Sequence, residues 1–370
     1  MDQPLTREFG SLEPGRAWLN TAHQGPLPSA AVEASSLAAD LKANPWRLSD
    51  SSFSEIPEVL RTRLASLVGG SADEIVLGNS TSYGLHLIAN GLSFTPDDEV
   101  LTIEGDYPAT VLPWRRVARV RSVPSADLPA SITPRTRVVA VTWVDSFTGR
   151  ALDLEALGHI CRARGAWLVV NGSQAVGARP VDVGSLGVDA LVSCGYKWLC
   201  GPYGTGFAWL SPALRDRLRP QQAYWLAMQG DRGLDHMRDT HLRDDLGVRA
   251  FDVFCPAAFA TSLPWIASLD LFLATGVSSI ARYDQELVSR LLAGLDASAY
   301  SVASPESGPS RSTLVVLSRR DGTTLSRHRV LTSAGIDTAF REDNLRFSLH
   351  AFNTREQVDR TLDALHIVAC

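Results

Sequence analysis

Lysine is nearly missing from this chain: Lys42 and Lys197 stand against 33 arginines. Arginine stays protonated under ordinary conditions, so it supplies charge but neither a nucleophile nor an imine-forming amine. A lysine kept against that bias is a candidate for amine chemistry. The plain alternative is codon usage that replaced Lys by Arg and spared Lys197 by chance; it accounts for Lys42, which has no chemical signal around it. Cysteine is also scarce. The five (Cys161, Cys194, Cys200, Cys255, Cys370) are odd in number and without CxxC spacing, which argues against a disulfide framework or a zinc site and for a reducing compartment. No stretch approaches the roughly 20 apolar residues of a membrane span. A net charge of -5, with no basic surplus and no acidic tail, points away from nucleic acid. Residues 1–16 carry acids and prolines and no apolar signal core, so a cytoplasmic location is the expectation.

What is present is the composition of a globular protein, 45% apolar and 20% charged. At 370 residues the chain is long for one core and suits two units. Runs rich in β-branched residues alternate with helical patterns. Glu74-Ile75-Val76-Leu77, Glu99 to Ile103, Arg137 to Thr142 and Ala166 to Val170 read as buried strands, with a crossover helix over Leu152 to Arg164 and a helix-like stretch over Gly84 to Leu92. This rhythm predicts an α/β fold with a mostly parallel sheet covered on both faces. Ligands of such sheets sit beyond the carboxyl ends of the strands. Asn79 to Ser82, Asp106-Tyr107 and Asn171 to Gln174 each follow a strand, so they are expected to converge there. Trp265 to Leu295 reads as one long bridging helix. Beyond it come two strands, Ser312 to Leu317 and Leu345 to Leu349, and a closing helix started by Thr354 with Gln357 three residues on.

Lys197 lies between the apolar run Leu191-Val192-Ser193-Cys194 and the turn Gly201-Pro202-Tyr203-Gly204. Desolvation there would strip its proton and suit it to a Schiff base. Around it the pattern resembles the class V aminotransferase family, fold-type I pyridoxal-phosphate enzymes that include cysteine desulfurases and isopenicillin N epimerase. Four elements in order carry the resemblance: Leu19-Asn20-Thr21-Ala22 with Gly25-Pro26, Asn171-Gly172-Ser173-Gln174-Ala175, Tyr196-Lys197-Trp198-Leu199 with its glycine-rich turn, and Arg346-Phe347-Ser348 before Phe352-Asn353-Thr354.

The resemblance implies pyridoxal 5'-phosphate as cofactor and a small amino-acid-like substrate. It also implies a homodimer, with Phe254-Cys255 reaching the neighbouring subunit. The domains would be an arm over residues 1–20, a large domain with a seven-stranded sheet over 21–265, and a small α+β domain over 266–370. Lys197 would form the imine, Thr81, Ser82 and Tyr196 would hold the phosphate, and Tyr107 would stack on the ring. Gln174 would donate to the phenolic oxygen, Arg346 would bind the substrate carboxylate, and Ala22, His23, Trp46 and Trp225 would line the substrate pocket. Read singly, Thr81-Ser82 is a helix cap, Tyr107 a turn residue and Arg346 a surface arginine.

Two departures shape the expected chemistry. Asn171 stands where the family has an aspartate facing the pyridine nitrogen, so a neutral amide replaces the carboxylate that keeps the ring protonated. The stretch Leu317 to Leu345 lacks the nucleophilic cysteine of the desulfurases, and Cys194 and Cys200 read as packing thiols. The function these features favour is a C–S lyase acting by β-elimination in specialised metabolism. An aminotransferase or epimerase is the alternative within the family, and a non-catalytic cofactor-binding protein the alternative outside it.

Overall fold

The computed structural model describes residues 5–220, 223–229, 238 and 240–366; Cys370 lies outside them. Seven strands form the large sheet: β1 (Ile75–Gly78), β2 (Glu99–Ile103), β3 (Arg119–Val123), β4 (Thr136–Thr142), β5 (Trp167–Asn171), β6 (Ala190–Cys194) and β7 (Gly206–Leu210). Their order is β1-β7-β6-β5-β4-β2-β3, with every neighbouring pair parallel except the two that β7 makes with β1 and β6. The mostly parallel seven-stranded α/β sheet is therefore as expected. Its strands are apolar on both sides because both faces are covered. Val139, Val141, Leu168, Val170 and Leu191 point into one core. Val138, Ala140, Val169, Ala190 and Val192 point into the other, the strict period of two that a pleated strand imposes.

The crossover helix runs Leu154–Arg164, and Asp153 caps it by accepting the Ala156 N–H at 3.0 Å. The helix after β1 starts at Thr81 rather than Gly84 and runs to Gly91. That places Thr81 and Ser82 in its first turn, where amides have no helical acceptor.

Four antiparallel strands make a second sheet, β8 (Tyr300–Val302), β9 (Leu314–Arg319), β10 (Ala339–Arg341) and β11 (Asn344–Ser348), in the order β10-β11-β9-β8. A third core lies against it, built on Tyr283, Leu287, Val315, Leu345 and Phe347. The N-terminal segment joins this sheet. Ala17–Trp18 pairs in parallel with Ile336–Asp337, and Asn20 bridges to Ser348. The closing helix Arg355–His366 begins with the capping box read from sequence: Thr354 Oγ1 accepts the Gln357 N–H, and Gln357 Oε1 accepts the Thr354 N–H, each at 3.2 Å.

One expectation fails. The pattern from Trp265 to Leu295 is two helices, Phe259–Thr275 and Val277–Ala293, meeting at 81°. Gly276 sits between them at φ 80°, a backbone that ends a right-handed helix. The first helix also begins before Pro264 instead of after it. Among the described residues no single helix is long and apolar enough to cross a membrane.

Candidate active site

The carboxyl ends of β1, β2, β4, β5 and β6 open onto one cavity of about 500 Å³. Thr81, Ser82, Tyr107, Asn171, Gln174, Tyr196 and Lys197 all line it, so seven of the residues singled out by sequence meet as expected. Ser80 caps the helix by accepting the Tyr83 N–H at 3.1 Å, which leaves the first-turn amides of Thr81 and Ser82 free for an anion.

Lys197 is only 9% exposed. Its Nζ lies 5.6 Å from the centre of the Tyr107 ring and 6.0 Å from that of Tyr196, and no carboxylate pairs with it among the described residues. Burial lowers its pKa, and the nearby Arg346 guanidinium lowers it further. The neutral, nucleophilic amine is thereby favoured. Burial also raises the Tyr196 phenol, so that side chain stays a neutral donor.

The lysine's own turn is held from two sides. The Gly25 N–H donates to the Tyr196 carbonyl at 2.9 Å, and a side chain at Gly25 would strike the Lys197 carbonyl at 2.1 Å. From behind, His350 Nε2 lies 3.0 Å from the Trp198 carbonyl while its Nδ1 lies 2.8 Å from Asp284. Against a burial that opposes any charge, the Asp284 carboxylate holds His350 up to about 10, so the imidazolium donates to both partners.

Gln174 is fixed in orientation. The Trp198 indole donates to its Oε1 at 2.8 Å, and its Nε2 donates to the Ala22 carbonyl at 3.0 Å, which leaves one N–H to face the cavity. Asn171 is also fixed in orientation, by three hydrogen bonds. Its Oδ1 accepts from the Ser173 N–H at 3.0 Å and the Ser173 hydroxyl at 2.6 Å, and its Nδ2 donates to Thr110 at 2.9 Å. Thr110 and Thr142, which carry this network further, were not identified from sequence.

Arg346 and His23 do not line this cavity; they stand beside it. Arg346 reaches the carbonyl of the lining residue Ser146 at 3.2 Å, and its Nε is buried without a partner. Burial lowers its pKa to about 10, still a cation at neutral pH. Burial, then the charges of Arg341 and Arg346, lower that of His23, which favours the neutral imidazole. Neither Trp46 nor Trp225 lines the cavity; they are 78% and 49% exposed. Cys194 and Cys200 are buried packing thiols and Cys255 is exposed. No group of three or more potential metal ligands gathers among the described residues.

Pyridoxal phosphate fits this donor set. Its aldehyde would be met by the desolvated Lys197 amine, and its phosphate would be held by the Ser82 hydroxyl with the free helix-start amides. Tyr107 would cover its ring, and the Gln174 and Asn171 amides would meet its polar edge.

The chain is 29% identical to the isopenicillin N epimerase of Streptomyces clavuligerus over 386 aligned positions, covering 96% of this chain and 95% of the relative. It is 33% identical to a probable cysteine desulfurase of Aeropyrum pernix over 58% of this chain and 56% of that protein. Among solved structures, a cystine C–S lyase in complex with its product cysteine persulfide shares the fold with a TM-score of 0.85 at 20% identity, over 96% and 98% of the two chains. The apo cysteine desulfurase of Thermococcus onnurineus gives 0.81 at 20% identity, over 94% and 93%. The aminotransferase class-V family model matches residues 27–224, more than half of the chain, and the protein belongs to that family of pyridoxal-phosphate enzymes.

Proposed function

We propose that the enzyme is a lyase that cleaves a C–S bond at Cβ of a sulfur-bearing amino acid or amino-acid conjugate. The observation that carries the reading is Lys197, a buried amine without a carboxylate partner, set on a cavity that no cysteine lines. When bound, the cofactor supplies an electron sink conjugated to Cα. Arg346, a buried cation with an open N–H, takes the substrate carboxylate. Holding that group sets which Cα bond stands across the ring, and so which one breaks.

Lys197, freed when substrate arrives, accepts the Cα proton as general base. The electron pair left behind forms the Cα–Cβ double bond, and the sulfur departs from Cβ with its bonding pair. Hydrolysis of the released enamine gives a 2-oxo acid and ammonia. This route needs no protein thiol, which a persulfide-transferring desulfurase does. Epimerisation is the second reading, favoured by the length of the match to the isopenicillin N epimerase; it uses the same proton removal and returns the proton to the opposite face. A homodimer is part of the proposal, with the exposed Phe254 and Cys255 at its junction.

The test is the visible spectrum of the purified protein before and after borohydride, with the labelled peptide mapped by mass, followed by incubation with cystine and cysteine S-conjugates. A pyridoxyl group fixed on Lys197 and release of pyruvate, ammonia and a sulfur product are expected. Solvent hydrogen exchanged into Cα with no bond cleaved moves the assignment to epimerase. A colourless protein that stays so after added pyridoxal phosphate removes the enzymatic reading.

A further inference from the structure

Beneath the cavity runs a chain of hydrogen bonds with a single direction. At its centre the Asn171 amide is oriented by the Ser173 backbone N–H, which can only donate, so the atom 3.0 Å from it is the carbonyl Oδ1. The Ser173 hydroxyl gives its one hydrogen to the same oxygen at 2.6 Å and therefore accepts from Thr81 Oγ1, also at 2.6 Å. On the other side Asn171 Nδ2 donates to Thr110 Oγ1 at 2.9 Å. The Thr110 hydroxyl passes its hydrogen to Thr142 Oγ1 at 2.8 Å, and the Thr142 hydroxyl donates to Asp106. Asp106 also receives the N–H groups of Thr142 at 2.9 Å and Tyr107 at 2.6 Å. Burial pushes the Asp106 carboxyl up and these three donors work against it; both of its oxygens serve as acceptors, Oδ1 for the Tyr107 N–H and Oδ2 for the Thr142 N–H. Each hydroxyl has one hydrogen, so the Ser173 N–H at the centre and the accepting oxygens of Asp106 at the end together set the direction of the relay.

The consequence falls on Asn171. Both lone-pair directions of its oxygen are filled by Ser173, and one of its two amide hydrogens is spent on Thr110. The only valence it can offer to the cavity it lines is its second N–H. The ring nitrogen of pyridoxal phosphate is the cofactor atom para to the carbon that joins Lys197, so it lies across the ring from the lysine. A nitrogen that accepts a hydrogen bond on its lone pair cannot also carry a proton there. We propose that Asn171, locked as a donor between Ser173 and the relay that ends on Asp106, binds the ring nitrogen of the cofactor in its unprotonated form. This rests on the pyridoxal-phosphate reading above and refines it. An unprotonated ring is the weaker sink, so a reaction whose electron pair leaves promptly with sulfur is favoured over transamination, in which the cofactor itself must take up the proton.

The measurement is 15N NMR of the full-length enzyme loaded with cofactor labelled at the ring nitrogen, after mass mapping has established loading at Lys197. The expected signal lies downfield, in the range of unprotonated pyridine. Asn171→Asp, which turns the same position into an acceptor with a charge, is expected to move it upfield to the pyridinium range. A pyridinium signal in the unaltered enzyme overturns the proposal and leaves the lyase reading standing. Failure to load any cofactor overturns both. The signal of the unaltered enzyme decides the matter even where Asn171→Asp does not fold.

Discussion

On the floor of the cavity every buried polar atom has a partner, whereas on the wall beside it the partners run out. Thr81, Ser173, Asn171, Thr110 and Thr142 spend their hydrogens on one another and on Asp106. Along the ribbon where Asn20, Thr21 and Ala22 lie beside Ser348, two residues from Arg346, the Asn20 Oδ1, Thr21 Oγ1 and Arg346 Nε atoms are buried with none. An unmet buried polar group costs about 1–3 kcal/mol, so three of them gathered beside the cavity are a place where a ligand's polar groups would be stabilising. The floor fixes its own side chains in one geometry and leaves open only single N–H groups of Asn171 and Gln174, which suits a resident cofactor. On the lyase reading proposed above, the substrate would supply the partners that the wall lacks among the described residues. The difference separates two jobs that one list of lining residues would merge.

Lys197 serves both surfaces, so its loss is expected to do the most damage. Lys197→Ala should reduce turnover at least about 10³-fold, since both the covalent anchor and the general base go, and borohydride should fix no cofactor. Undiminished turnover of sulfur-bearing amino acids would remove the lysine from the mechanism. Breaking the wall alone comes next. Arg346→Ala should raise KM by about 10–100-fold, the equivalent of losing charge-assisted hydrogen bonds of about 1.5–3 kcal/mol, while the affinity for pyridoxal phosphate stays unchanged. Loss of cofactor instead of substrate affinity would show that floor and wall are one structure. Breaking the floor should do the opposite. Thr110 is fully buried, and Thr110→Val keeps its shape while removing the acceptor of Asn171 and the donor to Thr142. A fall in unfolding free energy of about 1–3 kcal/mol is expected in urea titration, with KM for substrate little moved.

How far these two surfaces could be read from the chain depends on what made each residue conspicuous. Lys197 stood out because lysine is rare, and the strands because β-branched runs alternate with helical patterns. Thr354 and Gln357 formed their capping box because that motif is local, complete within four residues. Thr110 and Thr142 gave no sign, since threonine is ordinary in strands and helix starts, and their role exists only when the short helix Pro108–Val111 packs over the paired ends of β4 and β5. The break at Gly276 was hidden because the apolar pattern continues through it: both helices bury a face, and a single glycine is tolerated inside a helix. Arg341 was lost among 33 arginines. Only strand pairing gives it a place.

That pairing yields the smallest predicted effect, and the one that best marks where the wall ends. Arg341 lies in β10 opposite Asn344, and Ala339 lies opposite Arg346. Cross-strand partners and alternate residues share a face, so Arg341 and Arg346 lie on one side of the hairpin, the first exposed and the second buried. Arg341 spends a hydrogen bond on the Phe340 carbonyl at 2.9 Å, and its charge lies near enough to add to burial in lowering the His23 and Arg346 pKa values. An exposed charge acting at a distance is screened by salt, with a Debye length of about 10 Å at 0.1 M. Arg341→Ala should therefore raise KM for a carboxylate substrate only about 2-fold at low salt, and the difference should fade as ionic strength rises. An effect that persists in high salt would mean that Arg341 touches the substrate, and the wall of open valences would then extend to the tip of the hairpin.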